Sequence, residues 1–525
     1  MCGYAFACGA ARMVDDMADT GLVLDLAGRL NGKVVLSSDI TDSDLLGVDI
    51  EAATGSILGH FGGSGEGIAL LDRKTLLEIL DAEKAGKADK SPLQVEVIRP
   101  LDFTPAAKDI DANYKIRNLE TESTAGTVAD FTGYFRNRFE RLRTLFGSSR
   151  SALLGSMLNS IDGMRQYASG REVGIVGMLS TRAVTKNGNV IVTLEDESGS
   201  VKVLFMKPQP GGRREAVELF EASKSLVLDE VVAVKGKIWQ GMIIAGAVLW
   251  PDIPIRQRRQ SSEDIAMAFI SDIHVGSKLF LEKQFTRFLS WLNGDVDYRR
   301  DLAGKVKYIV VSGDLVDGIG VYPNQDKELA IPDIYKQYGV FFDLMERIPD
   351  YVHAFLLPGN HDAVRRAEPQ PPIGKELIGE FNRSNIHFVS DPGYVTLDGL
   401  TVLGYHGTSL DSVIQGIPSC SYMRPEGAMT ELLRRRHLSP IYGDNPVVPG
   451  KQDAMVIDEI PDILHMGHVH KNGYTNYHGT LVVNSGTWQA RTPYQAKLGH
   501  LPSPAVLPVY EARSMLLSAI DFNTV

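Results

Sequence analysis

Residues 268–277 read AFISDIHVGS, an apolar run that stops at Asp272 and His274, one residue apart. A carboxylate and an imidazole at that spacing can be two ligands of a metal ion. They can equally be the polar end of a strand turning into solvent, and the pair alone does not choose. Five later apolar runs repeat the pattern. KYIVVSGDLVDG ends at Gly313-Asp314, with Asp317 after it, and YVHAFLLPGNHDAV ends at Gly359-Asn360-His361-Asp362. LTVLGYHGTSL carries His406, DILHMGHVHKNG ends at Gly467-His468-Val469-His470, and TLVVNSGTWQ ends at Asn484-Ser485-Gly486. In open α/β sheets, ligands gather just outside the carboxyl ends of strands. A small residue beside each donor lets the backbone turn tightly and approach an ion.

Asp272, His274, Asp314, Asn360, His406, His468 and His470 are too many donors for one tetrahedral ion and suit two ions sharing a carboxylate. Mixed imidazole, carboxylate and amide donors favour borderline-hard divalent ions, manganese first, with iron, zinc or magnesium as the other choices. Two ions about 3.5–4 Å apart can activate a water and clamp both oxygens of an in-line phosphoryl displacement. Each piece has an ordinary explanation: Asp314 can cap a turn, Asn360 can fill a left-handed position, and His468 and His470 can be surface imidazoles. Together, in this order, they are hard to explain as turns. His353, His387, His437 and His465 are read as structural.

Around these residues the pattern from about 266 onward is strand, loop, helix, strand, which is α/β. Upstream, residues 171 to about 250 alternate apolar and polar residues. Lys186-Asn187-Gly188-Asn189 and Glu197-Ser198-Gly199 supply hairpin turns. Short strands with a helical piece (REAVELFEASKSL) between the third and fourth suggest a five-stranded OB-like barrel. The segment PDIPIRQRRQSSED reads as a linker with Arg256, Arg258 and Arg259 on a solvated hinge. VADFTGYFRNRFERLRTLF has helical spacing with arginines on a face expected to be solvated, and RPLDFTPAAKDIDANYKIRNLETESTAGT before it reads as linker. Arg434-Arg435-Arg436 reads as plain surface. The expected division is a poorly defined N-terminal region at 1–98, which can serve partner interaction. A linker and helical segment follow at 99–168, an OB-fold domain at 169–253 and a catalytic domain at 265–525.

The chain has 525 residues, 44% apolar and 23% charged, which fits a multidomain globular protein. No apolar run approaches the ~20 residues of a membrane span. The start, MCGYAFACGAARM, lacks the pattern of a secretory signal, and Met13 is a candidate for the true start. Cys2, Cys8 and Cys420 cannot make a disulfide framework, which fits a reducing cytoplasm. The formal net charge of −11 opposes binding to nucleic acid by bulk charge, so any such attraction must be local.

The order D-x-H, G-D, G-N-H-D, H, G-H-x-H over residues 265–500 resembles the calcineurin-like metallophosphoesterases. The resemblance implies a β-sandwich flanked by helices with the site at one rim. It implies one metal on Asp272, His274 and His470, a second on Asn360, His406 and His468, and Asp314 bridging them. His361 would then sit beside the phosphate as a catalytic group, oriented by Asp362.

Longer phrases narrow the family. TKNGNVIVTLEDESGSVKVL, GDLVDGIGVYPNQ, LPGNHDAVRRAEPQP, YHGTSLDSVI, GHVHKNGY and VNSGTWQARTPYQ, spanning about 171–496, resemble the small subunit of archaeal family D DNA polymerase. That resemblance implies a 3′→5′ exonuclease that proofreads for a separate large polymerase subunit. Its substrate would be DNA with a single-stranded or mispaired 3′ end, in a cytoplasm-borne, nucleoid-associated complex. The alternatives are a stand-alone repair nuclease or phosphatase, and a non-catalytic scaffold subunit.

Overall fold

The computed structural model describes residues 22–30, 34–37, 40–61, 69–85, 103–119, 124–149, 158–164 and 166–525. Met13, Cys2, Cys8 and most of the glycine-rich turn GHFGGSGEG lie outside them. The chain divides into two units, residues 1–100 and 101–523.

The N-terminal unit pairs two short parallel strands, Val34–Leu36 and Ala69–Leu71, beside helices Leu22–Arg29, Ile50–Phe61 and Arg73–Ala85. Leu76, Ile79 and Leu80 lie on one face of the last helix and meet Leu26, Ile57 and Leu71 in a small core of their own.

The second unit contains two six-stranded sheets and a barrel. In the first sheet, strands Ala266–Ile270, Val306–Ser312, His353–Leu357 and Ile386–Phe388 run parallel in that order. Val506–Glu511 and Leu516–Asp521 close its other edge antiparallel. In the second sheet, Leu400–Gly404, Ile463–Met466 and Thr480–Ser485 run parallel. Most of these strands are buried along their whole length, because both faces are covered. The period of two assigns each face. Met267, Phe269, Tyr308 and Val310 point inward against Val402, Ile463 and Val483 of the other sheet. Ala268, Ile270, Ile309 and Val311 point outward, under helices Glu282–Leu292 and Ile334–Met345. Helices Leu410–Gly416 and Pro425–Arg435 cover the second sheet through Leu410, Val413, Met429 and Leu432. The result is a four-layered sandwich.

Glu172–Val184, Val190–Asp196, Gly199–Phe205, Val231–Trp239 and Met242–Leu249 form a five-stranded barrel. The first strand pairs with both the second and the fourth, and the fifth joins the third to the fourth, which closes it. Helix Arg214–Lys224 lies between the third and fourth strands, as the sequence pattern anticipates.

Four expectations are corrected. The stretch before the first long helix is not all linker: Tyr114–Asn118 is an edge strand of the second sheet, antiparallel to Gly393–Leu397. The arginine face of helix Val128–Ser149 is not all solvated. Arg138 is 1% exposed, with its Nε 2.6 Å from Asp453, which also takes the Tyr134 hydroxyl at 2.8 Å. In the triple-arginine run, Arg435 is buried against Glu230 at 2.7 Å, and Arg436 donates to the Ile457 carbonyl at 2.7 Å. The segment at 251–264 is a strap rather than a hinge. Arg256 and Arg259 each lie 3.2 Å from Asp462, and Arg258 donates to the Met515 carbonyl at 3.0 Å. In the last three cases a partner far away in sequence captures a guanidinium that local pattern assigns to water.

Candidate metal centre

The parallel strands of both sheets end at one rim, and the loops leaving them carry the polar residues singled out above. Asp272 and His274 follow Ala266–Ile270, Asp314 follows Val306–Ser312, and Asn360 and His361 follow His353–Leu357. From the second sheet, His406 follows Leu400–Gly404, and His468 and His470 follow Ile463–Met466. The loops turn abruptly. Asp272, His274, Asp314, His468 and His470 all have left-handed backbone, with φ of 52°, 55°, 52°, 69° and 57°. Such a conformation costs a non-glycine residue of order 1–3 kcal/mol, and it gathers where function requires it. The glycines between them permit the close approach: a Cβ on Gly359 would collide with Asp314, and one on Gly467 with Asp272.

The donors converge in two groups. His470 Nε2 lies 3.1 Å from His274 Nε2 and 3.3 Å from Asp272 Oδ1. Asn360 Oδ1 lies 2.9 Å from His406 Nε2 and 3.1 Å from His468 Nδ1. Asp314 stands between the groups, its Oδ2 3.7 Å from His274 Nε2 and 3.3 Å from His406 Nε2. Its other oxygen accepts the His361 backbone N–H at 2.8 Å. Asp272, His274, Asp314 and His406 are at most 2% exposed.

Outer contacts decide which ring nitrogen faces the cluster. His406 Nδ1 is 2.9 Å from the Ser312 carbonyl, which can only accept, so Nδ1 carries the hydrogen and Nε2 is a lone pair. His274 Nδ1 donates to the Asp317 carboxylate at 3.1 Å, and His468 Nε2 to Asp411 at 3.0 Å. The cluster therefore aims lone pairs at one another: His406 Nε2, Asn360 Oδ1, His468 Nδ1 and the carboxylates. Such an arrangement is repulsive unless positive charge sits among them. The protonation equilibria point the same way. Burial works against charge on His274, yet Asp317, Asp314 and Asp272 raise its pKa to about 8. His406 is likewise raised, against its burial, by Asp314 and Asp272. The carboxylates thus draw protons onto His274 and His406, although burial lowers the pKa of His470 and His361, and such a pull at two donor positions suits divalent cations. The donor set fits the expected ions.

His361 is part of the site but faces it differently. Its Nδ1 donates to the Asp317 carbonyl at 2.7 Å, which leaves Nε2 pointing inward, 4.0 Å from Asp314 Oδ2. Its ring meets that of His274 edge-on at 4.7 Å. Asp362 does not orient it, which corrects the expectation. Asp362 accepts from the backbone of Leu315 at 3.1 Å and Gly359 at 2.8 Å and from the Tyr338 hydroxyl at 2.9 Å. It fastens two donor loops together, and burial beside Asp314 raises its pKa to about 7.

Asp317 and Asp411 are the functional residues that sequence reasoning passed over, although both lie inside the phrases GDLVDG and YHGTSLDSVI. His465 is buried between the Ser312 and Ser485 hydroxyls, His353 stacks on His387, and His437 bonds Asp453, so none of them joins the cluster.

Residues 267–474 match the family model that describes the B subunits of DNA polymerases alpha and epsilon. The DNA polymerase II small subunit of Methanocaldococcus jannaschii is 40% identical over 412 residues, covering 77% of this chain and 68% of that one. That of Methanothermobacter thermautotrophicus is 39% identical, covering 81% of this chain and 86% of its own. The chain belongs to the archaeal family D DNA polymerase small subunits. The Archaeoglobus fulgidus member is 40% identical over 391 residues. Every donor named above falls inside the span of the family model, whereas the barrel lies outside it. No helix among the described residues is long and apolar enough to cross a membrane.

Proposed function

We propose that this family D small subunit is a metal-dependent 3′→5′ exonuclease that hydrolyses the terminal phosphodiester of a single-stranded or frayed DNA end. The observation that carries the reading is the two donor groups that converge on either side of Asp314 Oδ2. We assign one divalent ion to Asp272, His274 and His470, a second to Asn360, His406 and His468, and Asp314 to both. Manganese is the expected species, since amide, imidazole and carboxylate donors suit it. Bound there, such ions supply an activated water and neutralise the phosphoryl oxygens.

The chain's own residues do the rest. His274, His406 and His468 are held in one tautomer by Asp317, Ser312 and Asp411, so their inward nitrogens need no reorganisation. His361 keeps its hydrogen at Nδ1 on the Asp317 carbonyl and presents Nε2 to the substrate. Burial lowers its pKa, and the negative charge of the bound phosphate offsets that, so Nε2 is protonated there, donates to the phosphate and then gives its proton to the departing 3′ oxygen. A mispaired end reaches the rim more cheaply than a paired one, because separating it from the template costs less. That difference is a physical basis for proofreading on behalf of a separate large polymerase subunit. We read the closed barrel as an OB fold beside a calcineurin-like phosphoesterase domain.

The test is manganese-dependent digestion of 5′-labelled single-stranded DNA by the purified chain beside His361→Ala. A ladder shortening from the 3′ end, lost in a variant that keeps its metal, is the expected result. Absence of cleavage by the wild-type chain, with and without its large subunit, would overturn the reading.

A further inference from the structure

The segment after the last donor carries features that the metal chemistry leaves unused. Between Asp462 and Glu511 the chain has no Asp or Glu, in a protein whose formal net charge is −11. Within that stretch, residues 490–503 lie against the donor cluster. The Gln495 side chain meets His470 Nδ1 at 2.8 Å, and the Ser503 N–H donates to the His470 carbonyl at 2.8 Å. A capping box between Thr492 and Gln495 fixes the start of the turn Pro493–Lys497. On this anchored turn Tyr494 is 66% exposed, and Leu498 beyond it is 51% exposed. The Gln495 carbonyl also receives the His500 N–H at 2.8 Å, and the His500 ring packs on Tyr422 with centroids 4.3 Å apart. Tyr422 donates to Asp411 at 2.8 Å, the residue that holds His468. Arg491 and Lys497 are exposed on the same segment. A ledge of aromatic and basic side chains is therefore anchored to His470 through Gln495 and Ser503, and to His468 indirectly through His500, Tyr422 and Asp411.

A strand of negative charge approaching an acidic protein must find a local exception to its charge. This ledge is such an exception, and it borders the donor cluster. An exposed ring on an anchored turn is also what an unpaired base needs, since every base has a face that stacks. We propose that residues 490–503, with Tyr422, dock the single-stranded 3′ end of DNA, Tyr494 stacking on a base while Arg491 and Lys497 take adjacent phosphates. The inference deepens the exonuclease reading and rests on it.

Its test does not depend on cleavage. Fluorescence anisotropy of a labelled oligothymidylate with the full chain in EDTA reads docking alone. Tyr494→Ala should weaken binding by roughly 5- to 160-fold, the range of one lost base stack, and Tyr494→Trp should restore it. Lys497→Glu should weaken binding and flatten its salt dependence. Wild-type affinity in Tyr494→Ala, or no oligonucleotide binding by the wild-type chain, would overturn the proposal. So would normal oligonucleotide binding by Tyr494→Ala together with failure to co-purify with a large polymerase subunit, which assigns the face to protein. Binding that needs Tyr494 in a chain that never cleaves would sink the exonuclease reading and leave the docking ledge standing.

Discussion

Asp317 serves both kinds of histidine in the site. Its carboxylate takes His274 Nδ1 at 3.1 Å and Gln489 Nε2 at 3.1 Å on one oxygen, and Gln325 Nε2 at 3.0 Å on the other. Its carbonyl fixes His361. Asp317→Asn keeps the shape but removes the charge and sets an amide against one of those donors. Metal affinity should fall about 10- to 100-fold, the usual cost of losing an outer partner, as read by chelator competition. Asp314→Ala should go further and strip both metals, because one oxygen faces both groups. Elemental analysis showing a full metal load in that variant would contradict the bridge. The donors themselves were legible in sequence, since each ends an apolar run within two residues of a glycine or another donor. The orienting residues were not. Asp317 reaches His274 across 43 positions and Asp411 reaches His468 across 57, and no local pattern records such pairings. Asp362 illustrates the reverse error: adjacency to His361 suggested a contact that the backbone directs elsewhere.

Helix Val128–Ser149 packs Phe139, Leu142 and Phe146 against the barrel and is also anchored at a buried polar point. Asp453 gathers Arg138, the Tyr134 hydroxyl and His437 Nε2, the last at 2.9 Å. Burial, with Arg138 nearby, pushes the His437 pKa from its ordinary 6.5 to about 4, so the folded chain holds it neutral. The unfolded chain then binds a proton first as pH falls. The contribution of His437 to stability is fully present above pH 6.5 and is lost as pH drops toward about 4. Denaturant midpoints followed across that window should decline, and in His437→Gln the decline should be shallower. Equal slopes in the two proteins would show that His437 is not the group responsible. The helix was legible from its spacing, and the core strands from their apolar runs. Tyr114–Asn118 was not, because its apolar-polar alternation spans only Tyr-Lys-Ile-Arg on a mostly exposed edge strand and sits in a polar stretch that reads as linker.

The barrel and the sandwich are joined through buried charge as well as apolar contact. Arg435, on a helix covering the second sheet, pairs with Glu230 at the start of the barrel's fourth strand, and Glu230 also accepts the Trp250 indole N–H at 2.8 Å. Arg434 lies over the Trp250 ring at 3.8 Å. A run of three arginines in a chain of net charge −11 looks like a basic surface patch, and only the folded molecule shows Arg434 and Arg435 spent on an internal joint and Arg436 on the Ile457 carbonyl. Removing one partner of a buried pair strands the other charge, at a cost of about 3–5 kcal/mol. Arg435→Ala strands Glu230 at the joint rather than inside either core. The loss should therefore fall first on the coupling between the two, with the barrel released at lower temperature than the sandwich. Scanning calorimetry of the variant should resolve a second, earlier transition for the barrel, and Arg435→Ala combined with Glu230→Gln should bring the two transitions back together. A single transition merely shifted downward would place the joint's energy inside one cooperative core instead.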